Sequence, residues 1–246
     1  MLVASFSGGR SSAMMISQMD LSDATVIFCN TGKEMPQTLD FVRDCEQHWQ
    51  VPIVWLEYRS RYDYAVVDYE TASRNGEPFE QLIADKWYLP NMMARFCTSE
   101  LKVLTIERYL KDQGITEWDT AVGIRADEPR RVAKMRQKEG YQTPLADAQV
   151  TKQDVIAFWE SQNFDLQLPK SGYYSNCDLC FLKGYGIKQS LVNENPQLAE
   201  WWEYQEFLIG ARFRADQPSY KQMIASTASQ DDLFGYDESV PCFCGD

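Results

Sequence analysis

The sequence predicts an α/β fold with a doubly wound, mainly parallel sheet. Three observations carry that expectation. Residues 2–56 alternate strand, helix, strand, helix, strand, the order that builds a parallel sheet covered by helices on both faces. The first strand ends directly in a glycine turn that opens a helix. The chain has 246 residues, 44% of them hydrophobic, enough for one sizeable core and a small appended unit.

Each element has its own signal. Residues 2–6 form a short apolar run, and residues 11–19 read as the first helix. Residues 24–29 are β-rich and stop at Asn30-Thr31-Gly32. Residues 37–50 have helical spacing, with Leu39, Phe41, Val42 and Cys45 on the buried face. Residues 51–56 give a third strand. Residues 57–91 are aromatic, polar and irregular, and read as an excursion over the sheet in the manner of a lid. A helix is expected over 98–113 and a strand over 120–124. Residues 151–163 make a good helix, capped by Thr151, with Val155, Ile156, Phe158 and Trp159 as its apolar face. Beyond Pro169 stand Cys177-Asp178-Leu179-Cys180, a helical stretch with Trp201 and Trp202 as core residues, and a cysteine-containing tail. The division expected is a nucleotide-binding unit at 1–148 and a helical, cysteine-containing unit at 149–246.

Composition narrows the function. A formal net charge of −12 favours solubility and repels nucleic acid at long range. One local exception is basic: Arg125, Arg130, Arg131, Lys134, Arg136 and Lys138. It reads either as a solvated face or as a contact for phosphate or nucleic acid. No run of about 18 apolar residues is present, so no membrane span is expected. The first residues carry no basic region before an apolar stretch, so a cytoplasmic protein is expected. His48 is the single histidine, which leaves a His dyad, a Ser-His-Asp triad or a histidine-rich zinc site with weak support.

Ser7-Gly8-Gly9-Arg10-Ser11-Ser12 follows the first strand. Its glycines allow close approach of backbone to phosphate, and the hydroxyls of Ser7 and Ser12 with the helix N–H groups can hold an anion. It lacks the Lys-Ser/Thr ending of a Walker loop. Four segments then occur in order: residues 5–12, Phe28-Cys29-Asn30-Thr31-Gly32, Arg95-Phe96-Cys97-Thr98-Ser99-Glu100-Leu101-Lys102, and residues 123–131 (GIRADEPRR). Together they resemble the PP-loop ATP pyrophosphatase superfamily, in its phosphoadenosine-phosphosulfate (PAPS) reductase-like branch, over residues 1–165. The resemblance implies a sheet of the adenine nucleotide alpha hydrolase type. It implies nucleotide binding by Ser5, Ser7, Gly8, Gly9, Arg10, Ser11, Ser12, Asn30, Thr31, Gly32, Gly123, Arg125, Arg130 and Arg131. Lys102 and Arg125 would neutralise phosphate or sulfate during catalysis, with Mg²⁺ accompanying ATP. Ser11 and Asn30 stand where many relatives carry Asp.

Seven cysteines in a chain without a secretion signal argue against a disulfide framework. Cys29 and Cys45 read as small core residues. Cys97, Cys177, Cys180, Cys242 and Cys244 lie in polar, turn-like contexts, and four thiolates suit zinc or an iron–sulfur cluster. The resemblance favours a [4Fe–4S] cluster on Cys97, Cys177, Cys180 and a tail cysteine, Cys244 ahead of Cys242.

The expected activity is ATP pyrophosphatase or adenylyl transfer linked to sulfur chemistry, with an acceptor that is a nucleic acid or a small molecule. The alternative is reduction of PAPS or adenylyl sulfate by a tail thiolate such as Cys244. The branch's reductases end in Glu-Cys-Gly-x-His, whereas this tail reads Pro241-Cys242-Phe243-Cys244-Gly245-Asp246. A non-catalytic nucleotide-binding module is the third reading. A homo-oligomer is compatible with all three.

Overall fold

The computed structural model describes residues 1–169 and 173–227. β1 (Leu2–Phe6) leads into α1 (Arg10–Gln18), and β2 (Ala24–Asn30), α2 (Pro36–Trp49) and β3 (Ile53–Ser60) follow. Next come β4 (Asp63–Val67) and α3 (Glu77–Lys86). A composite helix is then built from α4 (Phe96–Thr98), a π-helical stretch (Ser99–Leu104) and α5 (Thr105–Asp112). β5 (Asp119–Val122), α6 (Pro129–Arg136), β6 (Tyr141–Gln142), α7 (Pro144–Asp147) and α8 (Lys152–Glu160) succeed it. The last described elements are α9 (Tyr185–Glu194), a 3₁₀ turn (Pro196–Ala199), α10 (Glu200–Ile209) and α11 (Tyr220–Ser226).

The sheet has the order β4-β3-β2-β1-β5-β6. Every pairing is parallel except β3 with β4. This is the doubly wound, mainly parallel α/β fold that the alternating strands and helices predicted. From β1 the chain winds outward to β3, then returns to place β5 on the other side of β1. The direction of winding therefore reverses between β1 and β5, which opens a crevice beyond their carboxyl ends.

Alternation along β1 distributes its residues to two cores. Ala4 and Phe6 join α1, α2 and α8 through Met15, Phe41 and Trp159. Val3 packs with Ile27, Leu56, Ile106 and Leu110 under α5. Trp159, 2% exposed, also donates its indole N–H to the Arg10 carbonyl at 3.0 Å, tying α8 to the start of α1. Truncating a buried tryptophan costs about 3–5 kcal/mol, so this one side chain is a substantial anchor.

Residues 57–91 depart from the irregular excursion that their composition suggested. β3 continues to Ser60, β4 pairs back on it, and α3 packs on β3. The misleading residue is Glu57, a charged side chain that is nonetheless 0% exposed. Its carboxylate accepts from Asn30 Nδ2 (2.7 Å), Ser73 N (2.6 Å) and Ser73 Oγ (2.8 Å). Arg59 Nη2 donates as well, at 3.1 Å, and a buried carboxylate with four donors is tolerated where an unpaired one is not. The helix expected at 98–113 begins earlier, at Phe96, and contains the π stretch. α6 organises the basic segment after β5.

A second core joins α3 and the composite helix to residues 179–223 through Phe79, Leu101, Phe181, Trp202, Phe213 and Tyr220. Trp202 stacks on Tyr220 with centroids 5.5 Å apart, so the tryptophans pack as the sequence indicated. Lys188 is 1% exposed and its Nζ lies 5.1 Å from the Tyr220 ring centroid. Burial lowers its pKa from 10.5 to about 8. The unfolded chain therefore binds the extra proton between these values, and the native state gains stability as pH rises through that window. Lys188→Met should be more stable than the native chain below about pH 8, and the advantage should shrink toward pH 10.5. Denaturant unfolding at pH 7, 8.5 and 10 checks both sign and window.

Candidate nucleotide site and its adjoining thiols

The loop after β1 is shaped by two close approaches. Gly8 has φ +80°, and a Cβ there would lie 2.6 Å from Thr38 Cγ2, so the turn excludes any side chain. At the end of β5, a Cβ on Gly123 would lie 2.5 Å from Ser12 Cα, so β5 reaches the first turn of α1 only because residue 123 is glycine. Ser12 closes the loop. Its hydroxyl donates to Gly9 O at 3.0 Å, accepts from Ser7 N at 3.2 Å and meets the Ser7 hydroxyl at 2.8 Å. Gly9 serves as N-cap of α1.

Ser5, Ser7, Ser12 and Gly123 line a groove of about 300 Å³ at the β1/β5 reversal. Val103, Ile106, Trp118, Val122 and Tyr141 supply apolar walls, and Lys102 and Arg131 supply the cations. Arg131 also pairs with Glu128. Glu107 and Glu139 stand on the same lining. The groove thus combines apolar walls with cationic, acidic and hydroxyl groups. It sits where open parallel sheets bind ligands.

The remaining expected residues sit elsewhere. Arg10 makes a bidentate pair with Asp165, at 2.7 and 2.6 Å, and donates to Leu166 O at 3.1 Å. Arg125 is 8% exposed, donates to Ser11 Oγ at 3.0 Å and to Asp127 Oδ1 at 3.0 Å, and lies 3.7 Å from Glu128. Arg10, Ser11 and Arg125 line a separate cavity of about 410 Å³ together with Lys152 and Asn176. Ser11 and Ser12 thus turn to different cavities. Lys102 and Arg125, both expected to neutralise phosphate or sulfate, line different cavities. Arg130 is exposed on α6.

The turn after β2 is largely occupied with its own packing. Asn30 is 0% exposed, donates to Glu57 Oε1 and to Ser73 O, and accepts from Gly32 N. Thr31 donates through N and Oγ1 to Glu34 Oε2, both at 2.8 Å. Lys102 Nζ lies 3.7 Å from Glu34 Oε1.

Cys29 and Cys45 are core residues, 4% and 1% exposed, and burial pushes the Cys45 thiol well above its ordinary range. Cys97 and the distant Cys177–Cys180 turn all line one cavity of about 30 Å³ with Thr31, Lys33, Thr98 and Lys102. Thr98 and Lys102 belong to the lining of both this cavity and the groove. The π stretch contributes to that placement. Its wider turn is marked by Thr105 Oγ1 donating to the carbonyl of Glu100, five residues earlier, at 2.8 Å, and such insertions often occur at functional positions. Among the described residues, no group of three or more His, Cys, Asp or Glu side chains is arranged to hold a metal ion. Cys242 and Cys244, the tail cysteines expected as ligands or nucleophile, lie outside the described residues. Local patterns did not single out Trp118, Tyr141, Glu107 or Glu139. Their common feature, lining one groove, is a property of the fold.

The description "Phosphoadenosine phosphosulfate reductase domain" matches residues 1–167. The chain belongs to the phosphoadenosine phosphosulfate reductase domain family. The match spans the loop at 7–12, Lys102, the 123–131 segment and α8, and stops before the Cys177–Cys180 turn. An uncharacterized nin region protein of Escherichia phage lambda is 34% identical over 198 residues, covering 74% of this chain and 66% of the phage protein. An uncharacterized protein of Methanocaldococcus jannaschii is 27% identical over 109 residues, covering 44% of this chain and 22% of its own length. The chain thus spans just under two thirds of the phage relative and less of the archaeal one. A solved structure of PAPS reductase from Candida auris, in a phosphate complex, is 18% identical with a TM-score of 0.42. That alignment covers 65% of this chain and 71% of the other. Among the described residues, no helix is long and apolar enough to cross a membrane.

Proposed function

We propose that this family member is an adenine-nucleotide enzyme of the ATP pyrophosphatase or adenylyl-transfer type, linked to sulfur chemistry. One observation carries the reading. The groove holding Ser7, Ser12 and Lys102 meets the thiol-lined cavity at Thr98 and Lys102. A nucleotide with its base on the apolar walls would direct its phosphates toward Lys102 and the glycine loop. Charge on those phosphates would be neutralised by Lys102, Arg131 and accompanying Mg²⁺, and the loop's N–H groups would orient them. Catalysis would then consist mainly of positioning and charge stabilisation. The acceptor would be a nucleic acid or a small molecule.

Thiolate donors at Cys97, Cys177 and Cys180 support a [4Fe–4S] cluster, with Cys244 or Cys242 as a further ligand, and zinc as the alternative. The described thiols alone are an incomplete ligand set, so the cluster reading rests on donor chemistry and the shared cavity. Such a cluster would supply sulfur or electrons when bound.

Reduction of PAPS or adenylyl sulfate by a tail thiolate is the second reading, favoured by the Cys244-Gly245 pair and opposed by Phe243, which stands where those reductases carry Glu. Two assays on the anaerobic protein separate the readings. Pyrophosphate release from ATP and Mg²⁺ is expected, at a rate that rises when the acceptor is supplied. Sulfite release from PAPS or adenylyl sulfate without pyrophosphate formation would establish the reductase instead. Nucleotide binding without either product would leave a binding module.

A further inference from the structure

The thiol turn is attached to the phosphate loop by a contact that neither the sequence motifs nor the catalytic reading uses. Asn176, 2% exposed, immediately precedes Cys177. Its Nδ2 donates to the Ser7 carbonyl at 2.9 Å. Its own carbonyl accepts from Met35 N at 2.7 Å and from Thr38 Oγ1 at 3.3 Å. Thr38 is also the residue whose methyl group fills the space where a Cβ of Gly8 would stand. One asparagine therefore joins the phosphate loop, the first turn of α2 and the thiol turn.

The next residues are clamped to the segment after β2. Cys177 forms an antiparallel bridge with Glu34, and Asp178 N donates to Lys33 O at 3.0 Å. Lys33 Nζ and Asp178 Oδ2 pair at 2.7 Å, with side chains 9% and 7% exposed. Trp202 Nε1 donates to Asp178 Oδ1 at 2.9 Å. The turn is thus tied to the segment after β2, and Asn176 links it to the residue that begins the phosphate loop.

We propose that Asn176 is a positioning residue that couples phosphate occupancy of the 7–12 loop to the order of the thiol turn. A buried amide donor is costly to leave unpaired. Loop conformations that withdraw the Ser7 carbonyl therefore also loosen residue 176 and the turn that follows. A phosphate that selects the ordered loop selects the ordered turn with it. By reciprocity, an ordered thiol turn raises nucleotide affinity by the same factor. This inference rests on the reading that the loop binds nucleotide phosphate.

Hydrogen exchange of the full chain, followed by mass spectrometry with and without saturating ATP and Mg²⁺, tests it. In the native protein ATP should slow exchange of the Asp178 and Leu179 amides about 5-fold or more beyond any slowing in α10, the lower end of ordinary coupling between sites. Asn176→Ala should abolish that excess, and ATP affinity measured by calorimetry should fall by the same factor. Asn176→Asp, which keeps the shape but places an acceptor against the Ser7 carbonyl, should do likewise. If either variant fails to fold, Thr38→Val, which removes only the hydroxyl donor to Asn176, must reduce the excess slowing. Full excess slowing in the Asn176 variants, or none in the native chain despite bound ATP, overturns the coupling alone. Absence of any ATP binding to the native chain overturns the nucleotide reading and the coupling with it.

Discussion

Lys102→Met should lower kcat/KM for pyrophosphate release by about 100- to 1000-fold, the usual cost of removing one preorganised charge-stabilising group. The substitution keeps the aliphatic stem, so the groove's apolar wall remains filled. It removes the charge of the residue that lines both the groove and the thiol cavity. Glu34, its partner at 3.7 Å, stays held by Thr31 N and Thr31 Oγ1, so the turn after β2 keeps its principal bonds. The Glu34 side chain is 1% exposed, so removing its cationic partner leaves a buried carboxylate and should lower thermal stability, the usual cost of breaking a buried pair from one side being about 3–5 kcal/mol. A variant that stays folded at the assay temperature with native kcat/KM would remove Lys102 from the reaction and transfer the argument to Arg131. A loss confined to KM would instead identify Lys102 as a uniform binding contact, made equally in ground and transition states.

Which parts of this site the sequence disclosed follows from the range of the interactions involved. The Gly8–Ser12 turn is a local device: strand, glycine, hydroxyl and helix lie within a few residues, and the chain itself states them. The four central strands β1, β2, β3 and β5 were equally legible, because strand and helix periods are local properties, whereas the edge strands β4 and β6 were not. Gly123 was legible as part of a segment, although its reason, the approach to Ser12 Cα, is a contact between residues far apart in the chain. Lys102 was marked by its segment, but the π stretch that carries it has no sequence signature. Glu57 and Asn30 illustrate the opposite limit. A charged residue and an amide that together form a buried hydrogen-bonded network look, one at a time, like a loop residue and a ligand contact. Arg125 was marked as a phosphate contact by its segment, while its bonds to Ser11 Oγ and Asp127 Oδ1 are seen only in the fold. The link from Asn176 to Ser7 spans 169 residues, so only the fold discloses it.

Anaerobically purified protein should be brown, and Cys177→Ser should remove the colour together with the bound iron and acid-labile sulfide. A serine hydroxyl at neutral pH is a poor iron ligand, whereas a thiolate is the ordinary one for such clusters. Cys177 is well chosen for the test because its backbone is held independently, by the bridge to Glu34 and by the neighbouring Asp178–Lys33 pair. The turn should therefore keep its path when the sulfur is replaced. Cys45→Ser is the matched control. Cys45 lies in the first core, on the buried face of α2, and burial disfavours its thiolate. Its replacement should cost stability without touching iron. Iron and sulfide analysis with visible absorbance distinguishes the outcomes. Colour lost in both variants would mean that destabilisation alone releases the metal. Colour retained in Cys177→Ser would place the ligands elsewhere. A colourless native protein carrying stoichiometric zinc would select the structural alternative and withdraw the support for sulfur delivery. The groove at β1 and β5 would be unaffected by that result, since Ser7, Ser12 and Gly123 are arranged by the sheet and not by the thiols.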